Sequence, residues 1–132
     1  MKILDSDHCV AILRARLDLT GHAAAGEELA LTAINVGELV HGAAKSHRAE
    51  DNLAKLDVLL AALTVLAFDE GAARRFGQLK AQLERVGEGI DNLDLQIASI
   101  ALENDAVLVT HNQKHFSHLT SLASLALEDW LE

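Results

Sequence analysis

Apolar positions along the chain follow two alternating rhythms. Short apolar runs fall at Lys2–Leu4, Ala30–Ala33, Val65–Ala67, Ala106–Val109 and, more weakly, Ser124–Leu127. Longer stretches with helical spacing separate them: Ser6–Arg14, Asn35–Ser46, Ala49–Leu63, Asp69–Val86 and Asn92–Asn104. The Ala-rich Ala23–Gly26 reads as part of a connecting helix, and Leu79, Leu83 and Val86 recur at spacings of four and three, as one buried helical face requires. Short strands alternating with helices predict βαβ units around a parallel sheet. The expected fold is therefore α/β, with helices packed on a parallel sheet of about five strands. No linker, repeat or low-complexity segment breaks this order, so residues 1–132 are expected to form one domain.

Composition supports that picture and narrows it. Half of the residues are hydrophobic but only 3% are aromatic, so Ala, Leu, Ile and Val must fill the core, as suits helices on a buried sheet. Proline is absent, which leaves Gly, Asn, Asp and Ser to punctuate the chain. The single cysteine, Cys9, lies in an apolar helical stretch and is expected to be a buried free thiol. A strand and an acid in the first five residues leave no signal peptide, and no apolar run approaches the ~20 residues of a membrane span. The expected location is a reducing cytoplasm, with no membrane partner. A formal charge of −9 argues against a nonspecific nucleic-acid binder with a basic patch. Acids gathered around a cation, however, no longer count as free negative charge, and an acidic domain still accepts a basic partner segment.

Candidate chemistry sits at the strand ends. Met1-Lys2-Ile3-Leu4 delivers Asp5 at the carboxyl end of the first strand, where open α/β sheets gather ligands and catalytic groups. Glu38 follows the second strand, Asp94 lies at the start of the helix after Asn92, and Asn112 follows Val107-Leu108-Val109. In a parallel sheet all four reach one edge. Helix capping accounts for any one of them: Asn35 with Glu38 makes a capping box, and Asp91, Asn92 and Asn112 are natural N-caps. Capping does not ask for a long Glu inside the second helix or for acids clustered after two elements. Carboxylates brought together without basic partners repel each other unless a cation neutralises them. All-oxygen sites of this kind choose Mg²⁺ or Mn²⁺. No HxxxH accompanies a Glu on one helix, and His111, His115 and His118 read as a surface loop, so a histidine-built zinc site is not expected.

Leu4-Asp5-Ser6-Asp7, Ala33 to Leu39 around Glu38, Asn92 to Ala98 around Asp94, and Leu108 to Phe116 around Asn112 stand in an order and spacing that resembles the PIN-domain family. The ending Leu127-Glu128-Asp129-Trp130 is similar to that of its VapC-type toxins. The resemblance spans the chain and implies a three-layer α/β/α sandwich whose parallel sheet gathers acids around Mg²⁺ or Mn²⁺ to hydrolyse RNA. It also implies a homodimer silenced by a small VapB-like antitoxin, in some cases within a larger toxin–antitoxin assembly. Asp5, Glu38 and Asp94 match the family's acids as metal ligands, and Asn112 matches its fourth position, often Asp. Asp7 stands where Asn is usual. With Asn112 neutral, one well-held ion is expected rather than two.

The cation would lower the pKa of a bound water and neutralise the scissile phosphate. Ser6 and Thr110 are read as orienting acids or waters through their hydroxyls, with backbone capping as the alternative, and Asp91 as a peripheral acid. Positive charge for RNA is sought at Arg14, Arg16, Lys45, His47 and Arg48, which solvated helix surface explains equally. Two other readings stay open. A PIN-like domain that has lost turnover would act only through its partner. Asp5-Ser6-Asp7 also imitates the DxD of haloacid-dehalogenase-like phosphatases, but the following Gly-Thr and a lysine on the later strands are missing before Lys114.

Overall fold

The protein is described by a computed structural model covering residues 1–131. Its elements run β1 (Lys2–Leu4), α1 (Ser6–Leu13), β2 (Leu29–Thr32), α2 (Ala33–Ala44), α3 (Ala49–Ala61), β3 (Thr64–Leu66), α4 (Glu70–Arg85), α5 (Asn92–Glu103), β4 (Val107–Val109), α6 (Gln113–Leu122) and β5 (Leu127–Glu128). The strands form one parallel sheet in the order β3-β2-β1-β4-β5. Successive side chains along each strand point to opposite faces, and the core divides accordingly. Ile3, Ala30 and Leu108 join one cluster with Leu83 of α4, Ile97 of α5 and Phe116 of α6. Their neighbours Leu4, Leu31 and Val109 join a second cluster with Cys9 of α1, Leu39 of α2 and Leu56 of α3. The three layers predicted from the resemblance are thus built from single-residue alternation in very short strands.

Strand order makes β1 the place where the sheet changes direction. β2 and β3 extend to one side of β1, and β4 and β5 to the other, so a crevice opens beyond the carboxyl ends of β1 and β4. β1 and β4 pair through Ile3 with Leu108 and Leu4 with Val109, and the Asp5 N–H continues the ladder to the Val109 carbonyl at 2.9 Å. Among the described residues, no helix is long and apolar enough to cross a membrane.

Several expectations need correction. Ala23–Gly26 is not helical: Gly21 and Gly26 adopt φ of 91° and 80°, left-handed values that break a helix on both sides of the alanines. His115 and His118 lie on α6 rather than in a loop, because Phe116 and Leu119, three apart, supply a buried stripe too sparse to announce itself in a polar stretch. Val86 does not belong to the buried face of Leu79 and Leu83; it is the C-cap of α4 and exposed, since the chain turns away at Gly87. The last strand is Leu127–Glu128, because Ser124, at φ 59°, is still ending α6. The second helix begins at Ala33, and its capping box pairs Thr32 with Asn35 rather than Asn35 with Glu38.

Ala15 ends α1 at φ 55°, with its N–H bonded to the Ile12 carbonyl and that of Arg16 to the Ala11 carbonyl at 2.7 Å, a Schellman ending with a side chain where glycine is preferred. Ala15→Gly is expected to raise stability by about 1 kcal/mol, read as a higher urea midpoint at unchanged slope.

Candidate functional site

Asp5 lies at the centre of the crevice, only 6% exposed. Its backbone is the N-cap of α1, and each carboxylate oxygen accepts hydrogen bonds from surrounding elements. Oδ1 accepts from the Ser6 N–H at 2.9 Å and from Asn35 Nδ2 at 2.9 Å. Oδ2 accepts from Thr110 Oγ1 at 2.8 Å. Thr110 in turn accepts the Asn112 N–H at 3.1 Å and donates its own N–H to the Glu128 carbonyl at 2.8 Å. Its hydroxyl therefore joins both roles anticipated for it, orienting an acid and capping the following turn. Burial pushes the Asp5 carboxyl above its ordinary value despite the bonds from Thr110, Ser6 and Asn35, and the charge of Asp7 adds to the rise.

Asn35 does more than the capping its sequence position suggests. It is fully buried. Its Oδ1 accepts from the Thr32 N–H at 3.1 Å and from Thr32 Oγ1 at 2.8 Å, while its Nδ2 donates to Asp5 and, at 3.0 Å, to Ser6 Oγ. One amide thus locks the start of α2 to the start of α1. The Ser6 hydroxyl passes this order on by donating to Glu38 Oε1 at 2.8 Å. The signal in the sequence is spacing: Asn35 and Glu38 stand three apart, on one side of a helix.

Glu38 and Asp94 face the same space. Burial raises the Glu38 carboxyl, Ser6 counters it, and the charges of Asp5, Asp94 and Asp91 raise it further. Burial and the Asp5 charge raise Asp94, opposed by His115, whose Nδ1 stands 3.2 Å from Asp94 Oδ2. Asp91 is an exposed N-cap of α5, accepting from the Leu93 and Asp94 N–H groups at 3.1 and 3.3 Å, so it acts on the cluster through its charge. Asn92 lies inside the first turn and accepts from Lys80 Nζ at 3.0 Å. Asn112 starts α6, exposed, with no cap bond from its side chain.

Asp7 is tied to His8 and to the loop after β4, its Oδ2 3.4 Å from the Thr110 hydroxyl that bonds Asp5. Burial works to raise its carboxyl, but the bond from His8 and the His111 N–H at 3.0 Å hold it below its ordinary value. His8 is fully buried, and nothing in the sequence marks it beyond its place in the first helix. It accepts the Trp130 N–H on Nε2 at 3.0 Å, which leaves its ring proton on Nδ1 to donate to Asp7 Oδ1 at 2.6 Å. Asp129 holds His111 at 2.8 Å. The C-terminal segment thereby fastens the loop after β4. Cys9 takes no part: it lies on the buried face of α1, and desolvation pushes its thiol up to about 12.

The donor set suits a hard divalent cation. Asp5, Glu38 and Asp94 are each pushed up by burial, the Asp5 charge adds to the rise of Glu38 and Asp94, and, among the described residues, none forms an ion pair with Lys or Arg. As the side chains stand, no three His, Cys, Asp or Glu groups among the described residues close on one point. Ser6 holds Glu38 and His115 holds Asp94, and an ion bound by one or two carboxylates plus waters needs no tighter cage.

The sequence and fold are similar to those of known proteins. Residues 2–122 match the PIN domain. Ribonuclease VapC2 of Rickettsia felis is 34% identical over 132 residues, covering 97% of this chain and 96% of that one. The tRNA(fMet)-specific endonuclease VapC of Shigella flexneri is 30% identical, with 97% and 96% covered. Among solved structures, VapBC2 from Rickettsia felis bound to a DNA fragment from their promoter superposes with a TM-score of 0.87 at 33% identity, over 98% of both chains. DNA-bound VapBC from Salmonella typhimurium gives 0.86 at 28%, over 98% of this chain and 97% of that one.

Two outcomes follow. Asn35→Ala strips bonds from Asp5 and leaves the Thr32 groups unpartnered, so a loss of about 2 kcal/mol is expected in chemical denaturation. Each raised carboxyl is protonated in the native state at pH values where the unfolded chain has already ionised. Their cost to the metal-free protein is therefore full above the native values and relieved as pH falls through them toward 3.8 for Asp and 4.5 for Glu. Asp7 works the opposite way, its contribution present above 3.8 and lost below. Thermal melts of metal-free protein should rise from about pH 7.5 to about pH 5, and added Mn²⁺ should raise the melting temperature more at the higher pH.

Proposed function

The chain belongs to the PIN-domain family, among its VapC-type ribonuclease toxins, and from that premise we propose that it is a Mg²⁺- or Mn²⁺-dependent endoribonuclease acting on RNA phosphodiester bonds in the cytoplasm. The observation that carries the reading is the trio Asp5, Glu38 and Asp94, each pushed up by burial, with the Asp5 charge raising the other two further and no Lys or Arg partner among the described residues. Asp5 and Asp94 hold the cation, with Glu38 acting directly or through water. When bound, it supplies a water of lowered pKa and neutralises charge on the scissile phosphate.

The remaining work belongs to the chain. Thr110 and Asn35 hold both Asp5 oxygens in one orientation, so the carboxylate costs little to order. Ser6 aims Glu38, and His115 restrains Asp94. Asn112, neutral at the mouth of the site, fits one ion rather than two. The engaged oxygens of Asp5 disfavour the phosphatase reading, in which that residue attacks as a free nucleophile. The structural relatives are VapBC complexes, which supports a small VapB-like antitoxin as the regulating partner; a homodimer of this one-domain chain completes the proposal.

Asp5→Asn keeps the shape of the side chain and removes its charge. It should abolish Mn²⁺-dependent cleavage of total RNA and toxicity on expression, while a co-purified antitoxin is retained. A wild-type protein that cleaves no cellular RNA with Mg²⁺ or Mn²⁺ would instead leave a binding module acting through its partner.

A further inference from the structure

Of the seven histidines only His8 is buried, and it is fully so. A buried imidazole is costly unless its ring nitrogens are bonded, and here both are. Nε2 accepts the Trp130 N–H at 3.0 Å, which fixes the ring proton on Nδ1, 2.6 Å from Asp7 Oδ1. Asp129 Oδ1 stands 3.6 Å from Nε2, beyond hydrogen-bond distance, and already takes the Leu131 N–H at 2.9 Å, so this tautomer stands. Trp130 is held in turn. Its ring meets His8 edge-on at 6.2 Å, stacks on His22 at 5.3 Å and donates Nε1–H to Glu128 at 3.0 Å.

What this tautomer controls is a contest for one proton. The Thr110 hydroxyl lies between two carboxylates, 2.8 Å from Asp5 Oδ2 and 3.4 Å from Asp7 Oδ2. It has a single proton to give, and its oxygen already accepts the Asn112 N–H. Asp7 has other donors: His8 Nδ1–H on Oδ1, and the His111 N–H at 3.0 Å on Oδ2. His111 belongs to the same loop as Thr110, so only the His8 bond holds Asp7 independently of that loop. Asp5 depends on the outcome. Among the described residues Thr110 is the one side-chain donor to its Oδ2, whereas Oδ1 receives both the Ser6 N–H and Asn35 Nδ2.

We propose that His8 is a positioning residue for the cation site: its Nδ1–H commits Asp7, so that the Thr110 proton stays on Asp5 and Asp5 keeps one orientation toward the ion. The inference rests on the metal-dependent reading above and adds to it a residue whose ring bonds none of the three acids. Without the Nδ1–H donor, Asp7 Oδ1 is a carboxylate oxygen short of a partner, with the Thr110 hydroxyl already 3.4 Å from its other oxygen. Thr110 then turns to Asp7, and Asp5 loses its bond on Oδ2. Losing an outer hydrogen bond of this kind typically costs ~10-fold to ~100-fold in metal affinity.

Two amide substitutions divide the roles of the ring, because the shorter Asn side chain brings an N–H to the place of Nδ1 and the longer Gln brings its oxygen to the place of Nε2. The test uses the full-length chain with Mn²⁺ as the probe, free and bound ion being distinguished by electron paramagnetic resonance. His8→Gln should weaken Mn²⁺ binding ~10-fold or more, while His8→Asn stays within about two-fold of the wild type. Urea unfolding should show both less stable. Adding Asp7→Asn to His8→Gln withdraws the rival charge and should restore most of the affinity without restoring the urea midpoint, a response that a packing role for His8 does not produce. Long-range ¹H–¹⁵N spectra of the wild type give the tautomer directly and need no variant to fold. The proposal is overturned by a proton on Nε2, by a wild type that binds no Mn²⁺, by His8→Gln and His8→Asn losing affinity equally or not at all, or by no recovery with Asp7→Asn. Cleavage of total RNA is scored apart: a wild type with this pattern of Mn²⁺ affinity that cleaves no RNA sinks the ribonuclease reading and leaves the positioning role standing.

Discussion

A buried carboxylate at the turning point of a parallel sheet organises this molecule. Asp5 can be kept there because groups from three directions bond it: the Ser6 N–H of α1, the Asn35 amide of α2 and the Thr110 hydroxyl after β4. These bonds lower the cost of desolvation without removing it, and the carboxyl remains above its ordinary value. Removing any one donor would leave a buried acceptor short of a partner, which is the costly kind of loss. The core is therefore arranged to hold a group that stability alone would not select.

The surrounding acids share this tension. Glu38 and Asp94 are each raised by burial and by the charges of their neighbours, and each is restrained by one polar contact, Ser6 or His115. Functional sites commonly concentrate such perturbed groups. A cation bound among these acids would relieve part of their repulsion, which would couple its affinity to stability in one direction of pH. The C-terminal segment contributes from the other side: Trp130 and Asp129 fix His8 and His111, and through them Asp7 and the loop carrying Thr110 and Asn112.

Legibility in the sequence varies with the strength of the local signal. Asp5, Glu38 and Asp94 are legible because each follows a recognisable apolar run or helix start. α6 is not, because only Phe116 and Leu119 mark its buried side. Asn35 is legible only in part, since its backbone role in a capping box is local while its amide bonds Asp5, thirty positions away. His8 gives no signal at all, because its partners Asp7 and Trp130 are adjacent in one case and at the far end of the chain in the other.

Alternating strands and helices, the absence of proline and the position of each acid relative to its strand were enough to determine a parallel α/β sheet with carboxylates at one edge. Those are properties of periods of two and of 3.6 residues, which the order of residues carries by itself. Which acids stay free and which are tied were decided only by packing. Strand order sets Thr110 against Asp5, and the packing of helices over the sheet sets the Asn35 amide against Asp5. Both depend on contacts between residues remote in sequence, whose energies are absent from any local pattern.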